Sequence, residues 1–147
     1  MQKRVNQIED YFRVKVESAS PMGLIYMVYE RAITTIQSAK ENLNSRNRDK
    51  FCKNIIHAQD CIRELRSSLN LEISDVAKSL YSLYNFMLEE LVAANMTREN
   101  PLSKLNRVEK MLSELYSTWK LAERRLNESK KSQTVVSAVY QPLSVNA

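Results

Sequence analysis

The sequence predicts an all-α fold: an antiparallel four-helix bundle with a short N-terminal helical arm and a flexible C-terminal tail. Three observations predict it. Four stretches carry apolar residues at steps of three and four, the repeat of a helix that buries one face. The 147 residues hold one Gly and three Pro. That leaves too little turn chemistry for a sheet protein, and both residue types are poor inside helices. The segments between the stripes are short, and short connections make neighbouring helices antiparallel.

Each element has its own justification. Residues 1–18 form the arm, where Val5, Ile8, Phe12 and Val16 fall at helical spacing, so the arm makes a short amphipathic helix. The bundle spans residues 19–128. Ser20 and Pro21 open its first helix, 20–43. Ser is a good N-cap, and Pro suits the first turn, where its missing N–H is not needed. Its stripe is Ile25, Val28, Ala32, Ile36, Ala39 and Leu43. Asn44 to Asn47 read as a turn, with Asn47 capping a second helix at 48–70 striped by Phe51, Ile55, Ala58, Ile62, Leu65 and Leu69. Ser74 or Asp75 caps a third at 75–97, striped by Val76, Leu80, Leu83, Met87, Leu91 and Ala94. Asn100 and Pro101 restart the pattern for a fourth helix, 101–127, with Leu105, Val108, Leu112, Leu115, Trp119, Ala122 and Leu126 along one face. Residues 129–147 lose the stripe, are rich in Ser and Val and contain Pro142, the pattern of a mobile tail.

Composition narrows the function. The net charge of +5 and the pI near 9.2 are moderately basic. Arg63, Arg66, Arg124, Arg125, Lys130 and Lys131 lie among acidic residues, so an ordinary solvated surface is the first reading. A basic helical adaptor for nucleic acid or another acidic partner is the alternative. Cys52 and Cys61 share the second helix, where about 13–14 Å of rise separates them. That is too far for a disulfide, so two free thiols in a reducing compartment are expected. The first residues lack the apolar run of a secretory signal, and no stretch approaches a membrane span. A cytoplasmic location without membrane insertion follows as an expectation. His57 has no companions with metal-ligand spacing, and Gly23 alone cannot build a phosphate loop. No catalytic, cofactor or metal site is expected, and enzymatic function is not.

More specific residues carry a family likeness. Tyr11, then Ser18-Ala19-Ser20-Pro21 and Leu24-Ile25-Tyr26-Met27-Val28-Tyr29-Glu30, resemble the opening of the FliS family. Ala58-Gln59 with Ile62, Glu64-Leu65 and Ser68-Leu69-Asn70 is similar to its second helix. Leu80, Leu83-Tyr84, Met87, Leu91 and Ala94-Asn95 resemble its third, and Val108-Glu109, Leu112, Trp119 and Ala122 its fourth. The likeness covers residues 8–125. Arg31, and Leu71-Glu72-Ile73-Ser74, stand where many relatives carry glycines; neither departure touches a stripe. The resemblance implies a helical bundle without cofactor that serves as a cytoplasmic chaperone of flagellin. Such a protein holds the disordered flagellin C-terminal segment, prevents premature polymerisation and aids delivery to the flagellar type III export apparatus.

The client-binding expectation has two parts. Ile8 and Tyr11 match positions that relatives use in the arm, which reads as a displaceable lid; a permanently packed arm is the alternative. On the bundle, Tyr26, Tyr29, Ile33, Ile56, Tyr81, Tyr84 and Leu88 lie off the central stripes and widen them. A widened stripe is either more core or a groove for a partner helix. Tyr suits a part-time surface because it joins a large apolar body to a polar tip. Tyr29, Ile56, Gln59, Tyr84, Met87 and Leu91 are therefore expected to meet the client. The sequence leaves monomer and dimer equally open.

Overall fold

Local signals set where each helix begins and ends. The computed structural model describes residues 21–72, 74–97, 99–128 and 139–141. The arm, with Ile8 and Tyr11, and the Ser20 cap lie outside the described residues. Four helices follow in order: α1 Pro21–Asn44, α2 Arg48–Ser67, α3 Asp75–Met96 and α4 Pro101–Glu128. Asn47 starts α2 by accepting the Lys50 N–H on its side-chain oxygen at 3.2 Å. Ser74 starts α3 in the same way, its Oγ accepting the Val76 and Ala77 N–H groups at 3.2 and 3.4 Å. Each such cap satisfies a donor that the first helical turn leaves open. α1 closes on a paired C-terminal motif, with the Asn47 N–H on the Asn42 carbonyl at 2.9 Å and the Arg46 N–H on Leu43 at 3.3 Å. That motif needs a left-handed residue, and Arg46 supplies it at φ 60° where Gly is the usual choice.

Each helix packs on the next, and α4 closes the ring onto α1. The core is the line of the stripes. Ile25, Val28, Ala32, Ile36 and Ala39 of α1 are buried, as are Phe51, Ile55, Ala58, Ile62 and Leu65 of α2. On α3 the register differs from the expected one. The buried line runs through Ala77, Leu80, Tyr84, Met87, Leu91 and Ala94, while Val76 and Leu83 stand exposed. α3 is apolar on most of its circumference, so two registers fit its sequence equally well and only packing chooses between them.

α4 buries Leu105, Val108 and Leu112 fully. Leu115 and Trp119 are half-buried against the core. α4 is the longest helix, at 28 residues against 20 for α2, and its last turns lie against the start of α1. There the seam with α1 becomes polar and aromatic. Tyr26 Oη donates to the Glu123 carboxylate at 2.6 Å, and Tyr116 Oη donates to Glu30 at 2.5 Å. Nearer the other end, Lys40 pairs with Glu109 at 3.4 Å. Cys61 is buried and Cys52 half-buried, both as free thiols, and burial pushes the Cys61 thiol up to about 11.

Candidate binding surface

Exposed apolar surface is concentrated on one helix. Among the described residues ten large hydrophobic side chains stand exposed, and Val76, Tyr81, Leu83, Phe86, Val92 and Met96 of these belong to α3. At 3.6 residues per turn they fall on both sides of the buried line. Val76 and Leu83 share the flank towards α4, where Glu90 accepts from Arg107 at 2.8 Å. Phe86 stands on the outer side. Tyr81, Val92 and Met96, with Leu88, share the flank towards α2.

Polar side chains pin that second flank to α2. The Arg48 guanidinium donates to the Asn95 carbonyl. Cys52 Sγ donates to Asn95 Oδ1 at 3.2 Å. Arg66 donates to Asn85 Oδ1 at 2.7 Å and lies over the Tyr81 ring, 5.7 Å from its centroid. Ile56 of α2, 52% exposed, lies on the same seam one helical step from Cys52 and Gln59. Ile56 and Val92 therefore stand exposed between two amide-anchored points, over the buried Leu88, and Met96 extends the apolar strip past Asn95. Its shape suits the apolar face of a partner helix.

The residues expected from sequence separate into two groups. Ile56 lies on the surface. Tyr29, Tyr84, Met87 and Leu91 are 0% exposed and Gln59 is 8% exposed, so none of these five presents a face to a partner while the bundle is closed. The physical reason is the width of the core. Four helices of mixed size need more than a two-position stripe, and Tyr29 and Tyr84 fill that extra width. Val92, Met96 and Phe86 were not singled out from sequence, and Leu83 was expected in the buried stripe, whereas all four stand exposed. Leu83 and Phe86 lie in the charge-free run between Lys78 and Glu89; Val92 and Met96, beyond it, carry no such signal.

A second feature lies at the end of the bundle where α1 and α3 begin and α2 and α4 finish. Within the segment read as a tail, Val139 and Tyr140 are buried, at 5% and 4% exposure. Tyr140 forms an antiparallel β-bridge with Leu69. The Asn70 N–H donates to the Val139 carbonyl at 3.0 Å, and the Gln141 N–H to the Ser68 carbonyl at 2.8 Å. The Tyr140 ring meets Trp119 edge-on at 5.4 Å between centroids. Its hydroxyl lies 2.8 Å from that of Tyr84 and 3.3 Å from that of Tyr29. Tyr29 and Tyr84 also bond each other, and Trp119 Nε1–H donates to Tyr29 Oη at 3.2 Å. Three phenols thus close a ring in which each can donate once and accept once. Burial raises all three above the ordinary phenol value, because a phenolate there has no water to stabilise it. Three residues of bridge carry no periodic signal, and so the tail's sequence gives no sign of the docking.

Among the described residues, no cluster of His, Cys, Asp or Glu is placed to hold a metal ion, and no helix is long and apolar enough to cross a membrane. Fold and surface together define a helical bundle that offers long apolar helix flanks to a partner. Residues 4–126 match the family described as Flagellar protein FliS. The chain is 29% identical over 117 residues to the flagellar secretion chaperone FliS of Bacillus subtilis (strain 168), covering 80% of this chain and 86% of that one. It is 31% identical over 117 residues to the protein of the same name from Vibrio cholerae serotype O1, covering 76% of this chain and 85% of that one. The chain belongs to the FliS family, a family of flagellar secretion chaperones.

Proposed function

We propose that this chain is a cytosolic chaperone of flagellin. It holds the disordered flagellin C-terminal segment, keeps it from polymerising and presents it to the flagellar export apparatus. The observation that carries the reading is the exposed apolar surface of α3, with six large side chains on one 22-residue helix of a chain in this family. Apolar segments of the client lie along the two flanks of α3 and fold as they bind. Ile56 meets the client directly from α2. Gln59, Tyr84, Met87 and Leu91 support the seam from within, and Tyr29 supports α1 behind them. Residues 1–18, with Ile8 and Tyr11, act as a lid over part of the surface until the client arrives. A short helix is marginal alone, so it detaches readily.

The basic surface favours this reading over a nucleic-acid adaptor. Arg63 pairs with Asp60 at 3.1 Å, Arg107 with Glu90 at 2.8 Å, and Arg66 is engaged by Asn85 and Tyr81. Binding by charge would weaken steeply with salt, through counterion release. Binding by apolar burial gives a large negative heat-capacity change and little salt dependence. Titration calorimetry of the full chain with a flagellin C-terminal segment, at two salt concentrations and several temperatures, reads both. A complex with the second signature is expected. Val92→Glu, at a position 42% exposed, should leave the fold intact and weaken binding about ten-fold or more. Absence of heat and of complex removes the proposal.

A further inference from the structure

The region shared with the family ends at residue 126, yet the chain returns beyond it to fill the end of its own bundle. The seat it fills is chemically distinctive. Tyr29 and Tyr84 are 0% exposed, and both aim their hydroxyls at Tyr140. Trp119 provides an aromatic wall to Tyr140 and a hydrogen bond to Tyr29. At the rim, the chain just past α2 offers a free strand edge through the Ser68 carbonyl and the Asn70 N–H. A phenol completes the hydroxyl ring; a phenylalanine in its place leaves a buried donor without an acceptor. An extended backbone completes the rim; a helix, which bonds its own amides internally, does not. The site therefore selects for a tyrosine on an extended segment by two independent criteria.

We propose that Tyr29, Tyr84 and Trp119, with the Ser68–Asn70 backbone, form a binding site for tyrosine presented on an extended segment, and that the chain's own Val139–Gln141 is the ligand resident in cis. The described attachment of this segment spans three residues: two buried side chains, two backbone hydrogen bonds, the Tyr140 hydroxyl contacts with Tyr84 and Tyr29, and the ring contact with Trp119. A ligand attached over so short a span opens without unfolding the bundle. While seated, it keeps Tyr29 and Tyr84 from any other partner; when released, it bares an aromatic pocket. Tyr84 reaches this site from the buried side of α3, whereas the client surface is the exposed flanks of that helix, so the test of the site needs no flagellin.

Trp119 is the only tryptophan in the chain and touches the resident ring, so its fluorescence reports occupancy. The full-length Tyr140→Ala chain, checked for helix content by circular dichroism, should show altered Trp119 emission. A synthetic peptide of residues 136–144 added in trans should restore the wild-type spectrum. The same peptide with Tyr140→Phe should bind about ten-fold or more weakly, and with Tyr140→Ala not at all. Identical emission in the two chains, or indifference to the peptide, overturns the proposal. Amide hydrogen exchange on the wild-type chain tests it without any substitution. The Asn70 and Gln141 amides should share one protection factor, above that of free peptide and below that of the α2 core. Unprotected exchange at both overturns it. Light scattering settles the cis assignment: a wild-type dimer that Tyr140→Ala abolishes overturns it.

Discussion

Replacing Tyr84 by Phe removes one oxygen from the centre of the phenol ring and nothing else. The ring sets the magnitude. Tyr84 Oη bonds both Tyr29 and Tyr140, the latter at 2.8 Å. Without it, Tyr29 and Tyr140 retain only each other at 3.3 Å, with Trp119 still donating to Tyr29. Two O–H donors then share one acceptor contact, and one donor is left without a partner among side chains at most 4% exposed. An orphaned buried donor costs about 1–3 kcal/mol, and a lost net hydrogen bond about 0.5–1.5. The two figures describe the same event from either side, so the expected loss is about 1–3 kcal/mol rather than their sum. Urea unfolding followed by Trp119 fluorescence and by far-UV circular dichroism measures it, with a lower midpoint at unchanged slope. A change below about 0.5 kcal/mol would falsify the closed ring, because water must then be satisfying these hydroxyls. Tyr140→Phe should cost less. Its segment can lift and let the remaining hydroxyls meet water, so the loss is capped at the docking free energy of the tail.

Three further perturbations test other parts of the structure. Leu112 is 0% exposed on α4, so Leu112→Ala should cost about 2–5 kcal/mol; a near-neutral result in the same urea experiment would mean that α4 does not face the core. Arg46 holds φ 60° in the turn after α1, a conformation that costs a side chain with Cβ about 1–2 kcal/mol. Arg46→Gly relieves that cost but loosens the unfolded chain, so a gain of about 0.5–1 kcal/mol is expected, and a loss contradicts the left-handed assignment. Alkaline stability follows from the phenols. The folded pKa of Tyr29, Tyr84 and Tyr140 is raised above the ordinary value of 10.0. Folding thus retains protons that the unfolded chain releases, and stability is intact below that pH and falls as pH rises past it. Phenolate absorbance of these three should appear together with loss of helix; titration near 10 with the helices intact contradicts the burial.

How much of this was legible in the sequence depends on the kind of signal. The stripe of α2 is set off by Lys53, Asp60, Arg63, Glu64 and Arg66, and that of α1 by Glu30, Arg31, Lys40 and Glu41 together with Thr34, Gln37 and Ser38, and their buried faces follow directly. The cap at Asn47 and the proline opening α4 are local chemistry, readable one residue at a time. α3 is different. With almost no charge between Lys78 and Glu89, its pattern does not distinguish Leu83 from Tyr84 as the inward residue. The core holds Tyr84, whose hydroxyl finds partners there in Tyr29 and Tyr140, and leaves Leu83 exposed. The same ambiguity exchanged core for surface in the expected binding set. Met87 and Leu91 were legible as stripe residues and were also expected to meet the client, whereas Tyr29 was legible as apolar but not as inward; the structure buries all three. The Tyr140 seat was illegible for another reason. It joins residues 55 and 111 positions apart, and no periodic pattern encodes a contact of that range.

The energetics of α3 decide how long a client must be. Fully burying a Val, Leu, Phe or Met side chain contributes about 1.5–3 kcal/mol. The six exposed side chains of α3 are already partly covered, at 38–80% exposure, so each has about half of that left to give. Their sum is about 5–9 kcal/mol. Ordering a disordered segment costs about 2–5 kcal/mol, and association costs a further 4–15. The α3 flanks alone therefore bind weakly at best. A stable complex needs the client to continue off α3 onto apolar side chains exposed on other helices, such as Ile56 of α2 and Leu121 of α4. Calorimetry with nested client segments tests this. A segment long enough to cover only α3, about 20 residues as a helix, should bind orders of magnitude more weakly than one that reaches around both neighbours. Equal affinity for the two would show that the contact is a compact hot spot, and the extended-surface argument would fail with it.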